Sequence, residues 1–165
     1  MLRLKNQGDR VSCGACSYAI LLSGLNIFIS EKQACDECKT TINGTACLNV
    51  LNALKKRKID CYFVELNISF KEYERWLYLN SINRILYLSY LGKNKGKKQG
   101  RPSEDNHAVC CCNGFIYDSN ENEPLPIETF TNKYNYKFII KDMILVEIPK
   151  ELQEKAKFDK GIDIE

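Results

Sequence analysis

Apolar and polar positions recur along this chain in two rhythms, and the change between them comes near residue 59. From Cys13 to Leu25, the residues Cys16, Ala19, Ile20, Leu22 and Leu25 keep the spacing of a helix face. Ser12 is in position to cap that helix, and Gly24 falls where it should stop. Ser30 followed by Gln33 has the form of a capping box and predicts a second helix to about Lys39. A third is predicted over Thr45–Lys58, with Ala46, Val50, Leu51 and Leu54 on its buried face. Then β-branched and aromatic residues take over. Ile59–Leu66 and Ile82–Leu91 read as strands, the second apolar enough to be central, with a helix over Phe70–Leu79 between them. Tyr73, Trp76, Leu77 and Leu79 in that helix are expected in the core. Residues 92–106 carry Gly, Lys, Pro and Ser and predict a long exposed loop. Strands His107–Cys112 and Phe115–Ser119 follow, joined by Asn113-Gly114, the strongest short-range hairpin signal. Phe138–Ile148 supplies one or two closing strands. Helices first, then a mostly antiparallel sheet, is an α+β order.

The length of 165 residues fits one domain, expected over 1–149 with a solvated tail over 150–165. With 44% hydrophobic and 27% charged residues, the chain can build a core without covalent staples. The net charge of +3 is too small to point to nucleic acid. The basic run Lys93, Lys95, Lys97, Lys98 and Arg101 has no aromatic interleaving; it reads as a solvated loop placed where it can gate the region of His107. No stretch approaches the roughly 18 apolar residues of a membrane span. Met-Leu-Arg-Leu-Lys-Asn-Gln lacks the apolar core of a secretory signal, so a cytoplasmic protein with no membrane partner is expected. Nine cysteines are many for that compartment. Cys110, Cys111 and Cys112 are adjacent and must alternate faces on a strand, which makes a poor disulfide framework, so reduced thiols are expected. Cys35 and Cys38, with Cys47 and Cys61, form the one set zinc could use. Their spacing lacks a second matching pair, and one helix face explains Cys35 and Cys38, so no metal and no cofactor are expected.

Four positions carry candidate chemistry. A thiol at a helix N-terminus, as at Cys13, feels the positive end of the helix dipole and unpaired N–H groups, and both favour the nucleophilic thiolate. Taken alone, Cys13 and Cys16 read more readily as small buried apolar residues. His107 is the only histidine, so any Cys–His chemistry must use it. If Asn113-Gly114 is a two-residue turn, Cys112 faces Phe115, Val109 pairs with Asp118 and His107 with Asn120. His107, Val109, Asp118 and Asn120 then share one face, while Cys110 and Cys112 point the other way. Asp118 lies diagonal to His107, within reach of an imidazole nitrogen, and Asn120 is the competing partner. Gln7, six residues before Cys13, offers an amide donor for a developing oxyanion.

Gln7, Cys13-Gly14-Ala15-Cys16, His107 and Asp118, in that order, resemble the papain-like cysteine peptidases. The closer resemblance is to the double-glycine leader peptidases attached to bacteriocin ABC exporters and their free-standing relatives. Those domains show Gln, five residues, then Cys-Gly opening an apolar helix, similar to Gln7 through Gly14. They open a third helix with a Gly-Thr-Ser-like stretch, similar to Gly44-Thr45-Ala46 through Leu54, and carry His-x-Val and Ile-x-Asp strands, similar to His107-Ala108-Val109 and Ile116-Tyr117-Asp118. Ser12 departs from the Asp usual there. The resemblance covers about residues 5 to 148. It implies a papain-like fold with N-terminal helices packed on the sheet. It also implies Cys13 as nucleophile, Gln7 as oxyanion donor, His107 as general base and later acid, and Asp118 as the group that orients it. Cys-Gly-x-Cys-Ser also resembles papain itself, in which the second cysteine reacts; the six-residue interval from Gln7 favours Cys13, because Cys16 would stretch it to nine. The expectation is a cysteine peptidase acting on a protein or peptide substrate through a thioester. The alternatives are an isopeptidase acting on ubiquitin-like tails and a non-catalytic binding module of the same fold.

Overall fold

The computed structural model describes residues 2–5, 8, 12–98, 101–133 and 138–153. Three helices come first: α1 (Cys13–Gly24), α2 (Glu31–Glu37) and α3 (Cys47–Lys56). They are followed by β1 (Tyr62–Ser69), α4 (Glu74–Asn80), β2 (Arg84–Lys98), β3 (Arg101–Cys112), β4 (Phe115–Tyr117), β5 (Leu125–Pro126), α5 (Ile127–Lys133) and β6 (Phe138–Glu147). The strands form one sheet in the order β1-β6-β2-β3-β4-β5, and every neighbouring pair is antiparallel. The architecture is α+β.

Alternation along the strands divides the core in two. Ile85, Tyr87, Ala108, Cys110, Cys112, Ile144 and Val146 face the N-terminal helices. Leu86, Leu88, Val109, Cys111, Ile116 and Met143 face the other way, where Phe70, Leu77 and Phe130 cover them. The axis of the first layer is α1, whose residues Gly14 to Ser23 are all buried. Its one-face spacing predicted an amphipathic helix; instead the sheet covers one side while α2 and α3 cover the others. Three helices close in the same way. Asn26, Lys39 and Lys58 adopt φ of 61°, 51° and 59°, and the next residues return N–H bonds to Leu22, Cys35 and Leu54. These are Schellman ends.

That ending corrects two expectations. Gly24 is the last residue of α1, yet the left-handed position is Asn26; a Cβ at Gly24 would lie 2.5 Å from Ile85 Cδ1, so this glycine serves close packing. Ile59 belongs to the closure of α3, so β1 begins three residues later than expected, at Tyr62.

Ser30 accepts from Gln33 N at 3.1 Å as a cap should, but Gln33 reaches forward to Glu37 rather than back. In place of a loop over 92–106, β2 and β3 continue as a paired ribbon with Lys98 opposite Arg101. The side chains of that basic run lie outside the described residues. β5 and α5 arise where no element was expected, pinned by Ile127 N donating to Gly114 O at 3.1 Å. In α4 only Leu77 is fully buried; Trp76 is half-buried, and Tyr73 and Leu79 are exposed, because so short a helix presents little more than one residue to the sheet. Of the expected tail, residues 150–153 form a helical turn and 154–165 lie outside the described residues. Among the described residues no helix is long and apolar enough to cross a membrane.

Candidate active site

The tight Asn113-Gly114 turn, with φ of 49° and 83°, sets the register of β3 and β4. Cys112 pairs with Phe115, Cys111 with Ile116 and Cys110 with Tyr117, and there β4 ends. β3 continues beyond its partner, which leaves a free backbone edge at Ala108. In an antiparallel strand, the N–H and C=O of one residue point to the same side. At Ala108 both turn toward α1. The carbonyl accepts from Ser17 Oγ at 3.0 Å, and the N–H is directed at the Cys13 thiol. Cys110 Sγ donates to Ser17 O at 3.0 Å and completes the seam. Gly14 permits the approach: a Cβ there would meet Thr45 Cβ at 2.7 Å and Tyr87 Oη at 3.0 Å.

Immediately after β4 the chain turns on Asp118, whose Oδ1 accepts from Asn120 N at 3.0 Å. The same oxygen accepts from His107 Nε2 at 2.8 Å. This Asx turn ends the ladder, so Asn120 does not pair with His107 and is exposed. Asp118 is the imidazole's partner. The His107 side chain is 15% exposed and that of Asp118 3%, so the bond lies largely out of water. With Nε2 engaged, the other ring nitrogen, Nδ1, is left for Cys13. The Tyr90 ring meets the imidazole edge-on, with centroids 5.5 Å apart, and limits its rotation.

The electrostatics are consistent from both partners. Burial opposes the Cys13 thiolate, but the hydrogen bond and charge of His107, with the N–H groups of Ala108 and Gly14, outweigh it and lower the thiol pKa. Burial likewise opposes imidazolium, yet Asp118 and Cys13 raise His107 to about 10. A thiolate–imidazolium pair is the state this arrangement favours. Cys16, one turn along, is fully buried and pushed up to about 12 by that burial, against which its contact with Ser12 weighs little. Ser12 itself does not cap α1; its hydroxyl donates to Glu31 Oε1 at 2.7 Å, and Gly8 N donates to the same carboxylate.

Cys13 and His107 open into a cleft of about 560 Å³. One wall is the α2–α3 connection around Ile42 and Thr45; the floor carries Ser89 of β2 and Lys141 and Asp142 of β6. The structure thus brings Cys13, His107 and Asp118 together, while Gln7 lies outside the described residues. All nine cysteines are free thiols. Among the described residues no group of three or more His, Cys, Asp or Glu side chains is placed to hold a metal ion. Sequence reasoning missed Ser17, which fastens the helix to the strand edge, and Asp142. Neither carries a local signal, since Ser17 depends on which strand edge α1 docks against and Asp142 on which strands become neighbours.

The fold is the papain-like α+β fold of peptidase domains. The chain is similar to the peptidase domain of Streptococcus ComA, a bi-functional ABC transporter involved in a quorum-sensing pathway. The TM-score is 0.54 at 18% identity, over 89% of this chain and 99% of that one. It is similar also to a double-glycine-motif protease from an AMS/PCAT transporter, solved in complex with the leader peptide. There the TM-score is 0.51 at 17% identity, over 88% of this chain and 90% of that one. At such identities the likeness is one of fold. No protein-family model matches the sequence, and neither does any curated protein.

Proposed function

We propose that this protein is a papain-like cysteine peptidase that hydrolyses peptide bonds through a Cys13–His107–Asp118 triad. The observation that supports it most is a tip-of-helix thiol with a lowered pKa beside an imidazole that a buried carboxylate holds by Nε2. Such a pair presents a ready nucleophile and, on the same ring, the acid that the leaving group needs. The fold shared with peptidase domains, one of them solved with a peptide bound, adds to the reading.

An extended peptide enters the cleft and the Cys13 thiolate attacks its carbonyl carbon. Charge developing on the carbonyl oxygen is met by the Cys13 backbone N–H at the helix tip and by the Gln7 amide. The imidazolium gives its proton to the departing amine as the C–N bond breaks, leaving a thioester on Sγ. His107, now neutral, takes a proton from water; the hydroxide attacks the thioester, the acid leaves, and the thiolate–imidazolium pair is restored. Asp118 fixes the ring so that Nδ1 faces sulfur, and it stabilises each charged stage.

The test is incubation of the purified protein with a diverse peptide pool, products being read by mass spectrometry, beside iodoacetamide labelling of Cys13 at pH 6. Peptide products from the wild type and none from His107→Ala are expected, with Cys13 labelled faster than a free thiol. Labelling no faster than a free thiol, with no peptide products, would sink the proposal.

A further inference from the structure

Four residues on the helix-facing side of the sheet stand in one row. Ala108 of β3 is opposite Ser89 of β2, Ser89 is opposite Asp142 of β6, and Asp142 is opposite Glu65 of β1. The row begins beside the Cys13–His107 pair and runs across the floor of the cleft, which Ala108, Ser89 and Asp142 line. Strands lie about 4.8 Å apart, so Asp142 is about 10 Å from Ala108. An extended peptide advances about 3.3 Å per residue, which places Asp142 about three residues from the scissile bond.

The register around Asp142 is irregular in a way that matters. Ser89 and Tyr90 are consecutive, yet their partners on β6 are Asp142 and Ile140, so Lys141 is the extra residue of a bulge. Bulges re-aim side chains that would otherwise alternate. Here Lys141 and Asp142 both line the cleft. Even so, Lys141 does not neutralise its neighbour; its Nζ donates to Asn67 Oδ1 at 3.3 Å, toward the outer strand. Lys39, the other cation of the cleft, stands in the wall made by the α2–α3 connection. Among the described residues no hydrogen bond or ion pair engages the Asp142 carboxylate. Its cross-strand neighbour is another carboxylate, and like charges placed directly opposite each other destabilise a sheet. Burial and the Glu65 charge both raise the pKa of Asp142, and Lys141 offsets them only in part. The cleft floor is a half-buried anionic spot whose charge Lys141 balances only in part, in line with the Cys13 thiol.

We infer that Asp142 is a specificity-determining residue that binds a Lys or Arg side chain of the peptide about three residues from the cleaved bond, with Glu65 behind it. The inference rests on the peptidase reading and adds its substrate class: peptides with a basic residue near the cleavage point. An ammonium or guanidinium ion there supplies the direct ion-pair partner that Lys141 does not, and gains charge-assisted hydrogen bonds in a site partly shielded from water.

The test is a peptide series in which Lys, norleucine or Glu is walked through four positions on each side of the scissile bond, scored by relative kcat/KM. Wild type is expected to prefer Lys over norleucine by about tenfold at one or two adjacent positions, a factor typical of one charge-assisted hydrogen bond. Asp142→Asn brings that ratio close to one, and Asp142→Lys inverts it, so that Glu is preferred. Cleavage with equal rates for Lys and norleucine throughout overturns the inference and leaves the peptidase reading standing. So does a preference that survives Asp142→Asn. Absence of any cleavage overturns both.

Discussion

Cys13 and Cys16 lie one helical turn apart on α1, and burial opposes the thiolate of both, but the groups that surround each sulfur differ. Around Cys13 the helix tip meets a strand edge that has run past its partner, so free N–H groups, an imidazole and a cleft converge on the sulfur. Around Cys16 the helix is sealed: the side chain is wholly buried, its nearest polar partner is the Ser12 hydroxyl at 3.9 Å, and the nearby Glu31 charge opposes ionisation. The same burial that would neutralise a thiol is overcome at one site and decisive at the other. The difference lies in the partner, since only the first turn of a helix offers unpaired N–H groups and only His107 carries a proton to share. Chemistry at this end of the molecule is therefore a property of where β4 stops.

The comparison breaks most completely at Cys13→Ala. With the proposed nucleophile gone, peptide cleavage is expected to fall by about 10⁴-fold or more, to the level of binding and oxyanion contacts alone. Next is Asp118→Asn, which keeps the shape and removes the charge that holds His107 protonated. A loss of about 10²- to 10⁴-fold in kcat/KM is expected, the range of a general acid–base contribution. The pH profile sharpens the point. Activity should rise as the Cys13 thiolate forms, below the ordinary thiol pKa of about 8.5, and fall as His107 loses its proton near 10. In Asp118→Asn the falling limb moves to lower pH, because imidazolium has lost its main support. The rising limb moves up, because a ring that is less often charged attracts the thiolate less. Alkylation rates of Cys13 between pH 5 and pH 11 would follow both limbs.

Gly14→Ala comes third and acts through geometry. Its new methyl would lie 2.7 Å from Thr45 Cβ, so the helix tip or the α2–α3 connection must shift. Overpacking of this kind costs about 1–3 kcal/mol of stability. A displaced thiol costs up to about 10²-fold in kcat. A lowered Tm with kcat unchanged would show that the tip tolerates the strain.

How much of this was legible beforehand follows from the range of the interactions. The hairpin could be counted from Asn113-Gly114, and that count put His107 and Asp118 on one face, where they meet, and Cys110 and Cys112 on the other, where they pack with the N-terminal helices. It could not show that the ladder ends at Tyr117, because the Asx turn at Asp118 depends on a side-chain bond that excludes Asn120 from the pairing. Helix starts read better than helix ends. Ser30 acts on Gln33 three residues away, whereas the closures at Lys39 and Lys58 use residues that carry no stop signal of their own, and at Asn26, a residue type that does suit the left-handed position, Gly24 two residues earlier reads as the stop instead. The row from Ala108 to Glu65 joins four strands spread along the chain, and the bulge at Lys141 exists only in that pairing, so no local pattern announces it.

The smallest effect belongs to Cys16→Ala, and it is informative for being small. The papain-like reading of Cys-Gly-x-Cys-Ser would make this the more damaging change, because there the second cysteine reacts. In this fold Cys16 has no ring nitrogen beside it and its pKa is pushed up to about 12, so it offers no thiolate at neutral pH. Losing one buried sulfur and its weak contact with Ser12 should destabilise the domain by about 1 kcal/mol. Cleavage and the labelling of Cys13 should then stay within about twofold of wild type, since nothing that touches the reacting atoms has changed. The measurement is kcat/KM for one good peptide beside the urea unfolding midpoint. A drop of 10²-fold or more at intact stability would move the nucleophile one turn down the helix and require the cleft to open where α1 is now closed.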